Sequence, residues 1–512
     1  MRARLALAGL AAALPSGGLV RADTLCLKDG RIFDGVELER QEGAIVVHFE
    51  NGDVAVPLEA VQDYVIEGDA GPAPDNPEEQ EKADKGLVRF GGEWMRPAER
   101  ERAVRKLVER QKVFAEEVRE ARLWRNRRTE ETKHFDFEYT VPQEIFEHYR
   151  DRMEAYYEAF EDIFKIRRAR GLGKLKVRFY ADPENFYQVT GVSRGTLAFF
   201  EWTEEPYRLQ FYYDRLDPLG TERDVFHELG HYTQKLIDTG FRYTHWPGES
   251  LAEYYSTGAW DPRKKRLTVE PHVLEERLIE IHRDMEAGTY VGIRDLIVES
   301  NERNYHDYNW GWSFVHFLMS EPSTRKLFEK FYLGLARARD IDRRHVSALK
   351  NTKFSYVEGE DMMAAFRRYM RIKKDEDLWE LERRWHQYVK ELDVVSSRGL
   401  ARAADVARRG GRKHRARRLY EEAIEGGDAH SLVYHRYARH LASMDEDEAA
   451  WGAWKEAVAR DPVVPEYYIA WGRSLLESDE HEEEGKRLLK LAAEIEPDNL
   501  YLERNLEKLL AK

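Results

Sequence analysis

Two histidines and a glutamate lie close together in the sequence, at a spacing that suits metal chemistry. His227 and His231 are one helical turn apart, and Glu228 directly follows the first histidine. Residues four apart share one face of an α-helix, so both imidazoles can bind the same metal ion. The Glu228 carboxylate points toward the same region along a different line, which suits a base that acts on metal-held water. The pattern therefore predicts metal-assisted hydrolysis.

A third ligand is available further along the chain. A catalytic zinc site uses three protein ligands and leaves one position for water, and two histidines with a glutamate are one such set. If residues 248–255 form a helix, Glu249 and Glu253 lie one turn apart on one face. We therefore expect Glu249 to bind Zn²⁺ together with His227 and His231. Glu253 either hydrogen-bonds a ligand histidine from behind or is an ordinary exposed acid.

Two segments carry a resemblance to a known family: HELGH at residues 227–231 and GESLAEYY at residues 248–255. They resemble the gluzincins, zinc metallopeptidases of the peptidase MA clan, and the similarity covers about residues 130–395. Exported members with helical repeats behind the peptidase are the most similar. The resemblance implies a zincin-like domain that hydrolyses peptide bonds, with Glu228 passing a proton from water to the leaving amine. Ser250 stands where the family usually has glycine, and serine is small enough that we expect little effect.

A tyrosine further along extends the resemblance. Residues 308–315 resemble the Tyr-x-x-Gly segment of the M1-type aminopeptidases. There the tyrosine hydroxyl stabilises the oxyanion, which implies the same role for Tyr308; aromatic packing with its neighbours is the alternative. Residues 196–200 stand in the place of the edge strand that pairs with a substrate backbone in this clan. No convincing counterpart of the motif that grips a free amino terminus is present, so an endopeptidase is at least as well supported as an aminopeptidase.

The metal motif requires a helix, and the sequence offers signals for its ends. Thr221 can cap the N-terminus, Asp224 can return a bond to the cap residue, and Gly240 can close the other end. Alternating or apolar runs predict four strands before or around this region. They lie at residues 134–139, 175–180, 196–202 and 207–213. A helical stretch follows the first strand, so residues 129–395 are predicted to form an α+β domain.

A chain of 512 residues is too long for one ordinary core, which predicts several domains. Residues 23–68 hold short β-rich runs separated by turn pairs, a pattern typical of a small β-barrel or β-roll. Residues 69–128 combine a proline- and acid-rich linker with a charged helix that opens at Pro97.

The C-terminal region repeats itself. Ala404, Ala438 and Gly472 recur every 34 residues, as do Ala407, Leu441 and Leu475. This period is typical of tetratricopeptide (TPR) repeats, in which small side chains let paired helices pack closely. Residues 396–512 are therefore predicted to form TPR-like repeats that bind a protein substrate or partner. An irregular helical tail is the alternative.

Charge and cysteine content exclude several classes. The chain has 96 acidic against 82 basic residues, a formal charge of -14, which argues against nucleic-acid binding. A basic run at residues 408–418 is more typical of a solvated face than of an anion site. Cys26 is the only cysteine, so an intramolecular disulfide and a cysteine-built zinc site are both excluded.

The first residues have the pattern of an export signal. Arg2 and Arg4 precede an Ala/Leu-rich stretch, and small residues near Ala22 suit a cleavage site. Residues 1–22 are therefore predicted to be a signal peptide that directs the chain to a periplasm or out of the cell; a buried N-terminal helix is the alternative. Nothing later approaches the 18 or so apolar residues of a membrane span, so we expect no transmembrane anchor.

Two classes of function stay open on the sequence. The first is an active zinc peptidase whose repeats recruit a protein substrate or dock a partner. The second is an inactive peptidase fold that binds proteins through its repeats. A closed structural metal site would normally fill its fourth position with cysteine or histidine. The complete set of ligands together with Glu228 favours the enzyme.

Overall fold

The computed structural model describes residues 23–28, 31–66, 76–165, 172–268, 272–299, 305–338, 340–348, 352–393 and 395–511. The predicted signal peptide, residues 1–22, lies outside the described residues. The chain divides into two compact units, one comprising Met1–Ala115 with Val458–Lys512 and the other Glu116–Ala457. The domain boundaries at residues 23–68, 69–128, 129–395 and 396–512 stay predictions.

The first unit opens with an antiparallel sheet. Its strands are Asp23–Leu27 (β1), Ile32–Gln41 (β2), Ala44–Phe49 (β3), Gly52–Pro57 (β4) and Val61–Val65 (β5). Their order is β4-β3-β2-β1-β5. Alternate residues such as Ile45, Val47, Val54 and Val56 are buried, so one face of the sheet packs into a core. Because β4 and β5 are unpaired edges among the described strands, the predicted barrel is an open sheet here.

The sheet shares its unit with the last helices of the chain. The Asn51 amide donates a 2.8 Å hydrogen bond to Glu494, and Arg487 donates a 2.6 Å bond to the Asn51 carbonyl. Between sheet and helices in the sequence lie Pro77–Asp84 (α1), Val88–Phe90 (β6), Glu93–Met95 (β7) and Pro97–Ala121 (α2). Helix α2 begins at Pro97, as predicted, because proline is pre-organised for the first helical position.

A mixed sheet forms the start of the second unit. Its strands are Arg128–Glu131 (β8), Phe135–Tyr139 (β9), Leu175–Tyr180 (β10), Ala198–Glu201 (β11) and Arg208–Tyr212 (β12). Their order is β11-β12-β10-β9-β8; the three central strands are parallel and the two edges antiparallel. All four predicted strands are confirmed, and β8 was not predicted. The sheet therefore ends in an antiparallel edge strand, β11.

Helices and two hairpins complete the second unit around one aromatic-rich core. The helices are Gln143–Phe164 (α3), Pro183–Thr190 (α4), Pro218–Ile237 (α5), His245–Tyr254 (α6), Glu275–Glu286 (α7), Tyr305–Ser320 (α8), Pro322–Arg337 (α9), Gly359–Met370 (α10) and Asp375–Glu391 (α11). The hairpins pair Ala259–Asp261 (β13) with Arg266–Thr268 (β14) and Arg344–Ala348 (β15) with Thr352–Tyr356 (β16). The predicted α+β arrangement is present, and its zincin-like character stays a prediction.

The C-terminal region is helical and TPR-like. Its helices are Ser397–Arg409 (α12), Lys413–Glu425 (α13), Ser431–Ala442 (α14), Asp447–Arg460 (α15), Pro465–Leu475 (α16), Glu482–Ile495 (α17) and Leu500–Leu510 (α18). The first helices of successive pairs begin 34 residues apart, which confirms the predicted period. A Cβ atom at Gly472 would lie 2.8 Å from the Gly485 carbonyl, so the small residue lets α16 and α17 approach. Among the described residues, no helix is long and apolar enough to cross a membrane.

Candidate metal centre

Helix α5 carries His227, Glu228 and His231, and it begins one turn earlier than predicted. Pro218 occupies the first turn, and Asp217 is the cap residue, whose carboxylate accepts a 3.0 Å hydrogen bond from the Gly220 amide. An aspartate followed by proline is a better helix N-terminus than Thr221. Proline has no backbone N–H to leave unsatisfied in the first turn, and its φ angle is already helical. The predicted cap at Thr221 was therefore wrong.

Thr221 and Asp224, which were predicted to form that cap, make other contacts. Thr221 is buried inside the first turns, where its hydroxyl accepts a hydrogen bond from the Asp214 amide. Asp224 lines a cavity beside His227. The far end of α5 also differs: the helix stops at Ile237, and Asp238 is extended, so Gly240 lies beyond the helix.

The predicted ligands come together. The Nε2 atoms of His227 and His231 are 3.2 Å apart, and the Oε2 atom of Glu249 lies 3.3 Å from the first and 3.4 Å from the second. In a tetrahedral zinc site with bonds of about 2.0–2.1 Å, neighbouring donor atoms are about 3.3–3.4 Å apart. The three donors thus form one nearly regular face of such a tetrahedron. The donor set fits a zinc ion in both chemistry and spacing.

The charges of the three residues are mutually dependent. Burial acts to raise the pKa of Glu249, but the imidazoles of His231 and His227 outweigh it and hold that pKa well below its usual range. Burial acts to lower the pKa of His227, but Glu249 and Glu253 outweigh it and raise the pKa to about 9. The carboxylates of Glu249 and Glu253 therefore stabilise the protonated imidazole of His227. A divalent cation satisfies the same carboxylates while the imidazoles are neutral.

Glu228 faces open space on both sides of the metal residues. It lines a cavity of about 430 Å³ together with His227. It also lines a second cavity, of about 160 Å³, together with His231 and Glu249. Burial raises the pKa of Glu228, and the neighbouring imidazoles oppose that rise. A carboxyl whose pKa is raised toward neutrality can accept a proton and release it again.

Glu253 is buried rather than exposed, with 6% of its surface accessible. Its carboxylate accepts hydrogen bonds of 2.6 Å from Arg277 and 3.1 Å from Arg223. Its Oε1 atom lies 3.7 Å from Nδ1 of His227, which is too long for a hydrogen bond. Burial acts to raise the pKa of Glu253, but the two arginines outweigh it and lower the pKa to about 2. Glu253 is therefore neither an exposed acid nor a hydrogen-bond partner of His227. It is a buried carboxylate, held by two arginines, close to that histidine.

The arginines that hold Glu253 were not predicted. Arg223 precedes His227 by one helical turn, and it also pairs with the buried Glu276 of α7. Its spacing from His227 was a usable signal, because residues four apart on a helix share a face. Arg277, on α7, has no comparable sequence signal, since only the packing of α7 places it beside Glu253.

Tyr308 lies on α8 and packs against the start of α6. Its ring meets the His245 ring edge-on with centroids 4.4 Å apart, and the Arg277 guanidinium carbon lies 5.7 Å from its centroid. Among the described residues that line the two cavities beside Glu228, His245 is present and Tyr308 is not. The structure thus places Tyr308 behind His245.

The departure from the family at Ser250 has a structural counterpart on α8. Ser250 is buried, and a Cβ atom at Gly311 would overlap its hydroxyl oxygen. A glycine at 311 therefore makes room for a serine at 250 where α6 and α8 meet. The predicted tolerance for serine is consistent with this packing.

The edge strand β11 runs beside both cavities. Leu197 and Ala198 line the larger one, and Phe200 and Trp202 line the smaller one. Glu228 lines both cavities. An unpaired strand edge presents backbone donors and acceptors to an extended peptide.

Comparison with known proteins gives similarity to helical repeat structures. No protein-family model matches the chain, and no curated protein matches it. The Yersinia enterocolitica type III secretion chaperone SycD, in complex with a peptide of the translocator YopD, is 15% identical, covering 22% of this chain and 87% of its own, with a TM-score of 0.21. The first TPR of Spaghetti (RPAP3), bound to an HSP90 peptide, is 18% identical over 24% of this chain and 98% of its own, with a TM-score of 0.22. YrrB, a TPR protein with an unusual peptide-binding site, is 12% identical over 41% of this chain and 95% of its own, with a TM-score of 0.22.

Proposed function

We propose that this protein is an exported zinc-dependent peptidase. The observation that carries the proposal is the triangle of donor atoms from His227, His231 and Glu249, with sides of 3.2, 3.3 and 3.4 Å. Three donors at these distances suit zinc and leave its fourth position for water or substrate. When bound, zinc supplies a Lewis acid that makes water more acidic and polarises a carbonyl group.

Glu228 is the proton carrier of the proposed reaction. It lies beside His227 on α5 and faces the cavities on both sides of the ligands. Its carboxylate takes a proton from the attacking water and later gives it to the leaving amine. The raised pKa of Glu228, caused by burial, brings its proton affinity closer to that of water activated at neutral pH.

Tyr308 is proposed to donate a hydrogen bond to the oxyanion, the role that the resemblance implies. Its contact with His245, which lines the smaller cavity, puts it within the shell around the site.

The substrate is proposed to be an internal stretch of a polypeptide. Glu228 lines both cavities, one of which borders Leu197 and Ala198 and the other Phe200 and Trp202, so a peptide along β11 would have space on both sides of the scissile bond. A strict aminopeptidase would instead close one side around the amino terminus. The TPR-like helices are proposed to hold a protein substrate or partner, since small buried residues at fixed intervals build the groove-forming helix pairs of such repeats.

Zinc content and hydrolysis together test this proposal. We expect about one zinc per purified full-length chain after dialysis, and slow cleavage of an unfolded protein such as casein that a chelator abolishes. Glu249→Ala should lose most of the zinc and all of the cleavage. Glu144→Ala, an exposed glutamate on α3, is the matched control and should keep both. A chain that holds no zinc would sink the proposal and favour a protein-binding platform.

A further inference from the structure

The first helix of the repeat region forms part of the wall of the larger cavity beside Glu228. Three residues of α12 line this cavity, namely Arg402, Val406 and Arg409. Their spacing of four and seven positions places them on one face of the helix. Helices α5 and α12 belong to the same compact unit. A substrate that reaches Glu228 through this cavity therefore meets side chains of α12.

Arg402 is a largely buried cation whose hydrogen-bonding capacity is unused. Of its side chain, 22% is accessible. A guanidinium carries five N–H donors, and donors that are this far buried are usually satisfied. Arg402 nevertheless donates no hydrogen bond to any of the described residues. Its ion pair with Asp217 is 3.6 Å long, too long for a hydrogen bond.

The carboxylate of Asp217 already accepts hydrogen bonds from other residues. Its Oδ1 atom accepts from Arg398 and from the Gly220 amide, and its Oδ2 atom accepts a 2.8 Å bond from Arg436. Asp217 therefore stabilises the positive charge of Arg402 only from a distance. The N–H groups of Arg402 stay available to another anion.

The charge of Arg402 is less stable than in water even when the nearby acids are counted. Burial acts to lower the pKa of Arg402, and the positive charge of Arg223 lowers it further. Glu276 and Asp217 oppose this shift, but the pKa is lowered on balance. Glu276 is itself paired with Arg223. An additional anion at the guanidinium would offset this loss.

Asp224 is an acid of the same cavity and would repel an anion. It lies on α5, one turn before Glu228, and forms no ion pair with the described residues. Burial raises its pKa, and Arg402 is among the groups that oppose the rise. The cavity is therefore mixed in charge. An acidic group is stabilised in it only where it contacts the guanidinium on α12.

We propose that Arg402 selects an acidic side chain of the substrate, bound against α12 near the bond that is cleaved. The inference rests on the proposed peptidase function and adds a substrate preference to it. The N–H groups of a guanidinium can bind both oxygens of a carboxylate. Arg409, which is exposed, adds positive charge on the same face of α12. The cavity of about 430 Å³ has the size of ordinary ligand sites.

Matched peptides test the preference. Internally quenched peptides with an amidated C-terminus carry glutamate, glutamine or lysine at one position at a time near the cleaved bond. At one position we expect kcat/KM to be about 10- to 100-fold higher for glutamate than for glutamine, the value of a charge-assisted hydrogen bond. Equal rates at every position, or a preference for lysine, would overturn the proposal. A preference that appears only when the C-terminus is free would assign recognition to the terminal carboxylate and overturn it as well.

Variants assign the preference to Arg402. Arg402→Met keeps an apolar stem, and we expect the ratio of rates between the glutamate and glutamine peptides to fall about 10-fold or more. Arg402→Lys keeps the charge but cannot bind both oxygens, so the ratio should fall part of the way. Asp224→Asn removes a repelling charge and should raise the ratio. An unchanged ratio in both Arg402 variants contradicts the inference.

Arg398→Met is the matched control. Arg398 lies one turn earlier on α12 and pairs with the same Asp217, but among the described residues it does not line the larger cavity. This variant should lose stability in chemical denaturation and keep the peptide ratio. Loss of the ratio in Arg398→Met would show that the preference follows the packing of α12, and not contact with Arg402.

Binding to an inactive chain separates this inference from the proposed function. In full-length Glu228→Gln, calorimetry should show tighter binding of the amidated glutamate peptide, and Arg402→Met in that background should remove the difference. Zinc content and casein cleavage are measured on the unmodified chain. Zinc binding and cleavage without a glutamate preference leave the peptidase proposal standing and overturn the role of Arg402. A glutamate preference in binding without zinc or cleavage overturns the peptidase proposal instead.

Discussion

Glu249 Oε2 lies 3.3 Å from His227 Nε2, although the two residues belong to different helices. The contact depends on how closely α6 approaches α5. A Cβ atom at Gly230 would lie 3.2 Å from the Ala252 Cα atom and 3.3 Å from the Tyr156 hydroxyl. Gly230 is thus the point in the HELGH segment at which α5 makes room for the helix that carries Glu249.

Gly230→Ala is expected to weaken zinc binding without removing a ligand. The added methyl group meets the backbone of Ala252, so α6 must shift by a few tenths of an ångström. Overpacking of this kind costs about 1–3 kcal/mol. Chemical denaturation should show the stability loss, and competition with a chelating dye should show a higher zinc Kd. An equal zinc Kd with equal stability would show that the contact is not tight.

Glu228→Gln is expected to keep zinc and lose activity. The amide is similar in size to the carboxylate but cannot carry the proton, so kcat should fall about 10²- to 10⁴-fold. Zinc content should stay near that of the unmodified protein, because Glu228 is not one of the three donors. Retained activity in this variant would refute the assigned role.

Tyr308→Phe separates a catalytic from a packing role. If the hydroxyl donates to the oxyanion, kcat should fall about 10²- to 10³-fold while KM and zinc content hold. The ring contact with His245 needs no hydroxyl, so stability should change little. A change in kcat of less than about threefold would assign Tyr308 to packing.

Glu253→Gln is expected to lower zinc affinity about 10- to 100-fold, as is common for residues that support metal ligands. The variant removes a buried negative charge that lies 3.7 Å from His227 and is held by Arg223 and Arg277. Zinc titration measures the effect. A matched change at the exposed Glu144 should have none.

Asp217→Asn is expected to destabilise the chain in a pH-dependent way. Asp217 caps α5 and pairs with Arg398, with Arg436 at 2.8 Å and with Arg402 at 3.6 Å, which ties α12 and α14 to the metal helix. Burial acts to raise its pKa, but the arginines outweigh it and lower the pKa to about 2. Since a depressed carboxyl pKa stabilises the fold above the unfolded value near 3.9, the loss should be about 2 kcal/mol at pH 7.

That stabilisation should disappear as the pH falls from about 4 toward 2, because the unmodified carboxyl is then protonated as well. Denaturant midpoints of both proteins across this range measure the convergence. Asp162→Asn, at an exposed position on α3, is the control. A gap between the two midpoints that is the same at pH 3 and pH 7 would mean that the ion pairs contribute nothing.

The local parts of the site were predictable because helical geometry acts over one or two turns. His227 and His231 needed only the periodicity of α5 to share a face, and the 34-residue interval predicted the spacing between the starts of α12, α14 and α16. The four strand patterns were also local, since alternation of apolar residues follows directly from the period of two.

Contacts between distant elements could not be predicted. Arg277 reaches Glu253 across 24 positions and Arg436 reaches Asp217 across 219, and no sequence period connects such pairs. The pairing of the N-terminal sheet with the last helices through Asn51 and Glu494 is of the same kind.

The sequence by itself determined which residues could bind a metal and how the helices repeat, because both depend on the short-range geometry of the backbone. Only the tertiary structure decided that Asp217 caps α5 and that Glu253 is a buried charge held by arginines. The physical reason is that burial and pairing of charges depend on the packing of whole elements, which local propensity does not encode.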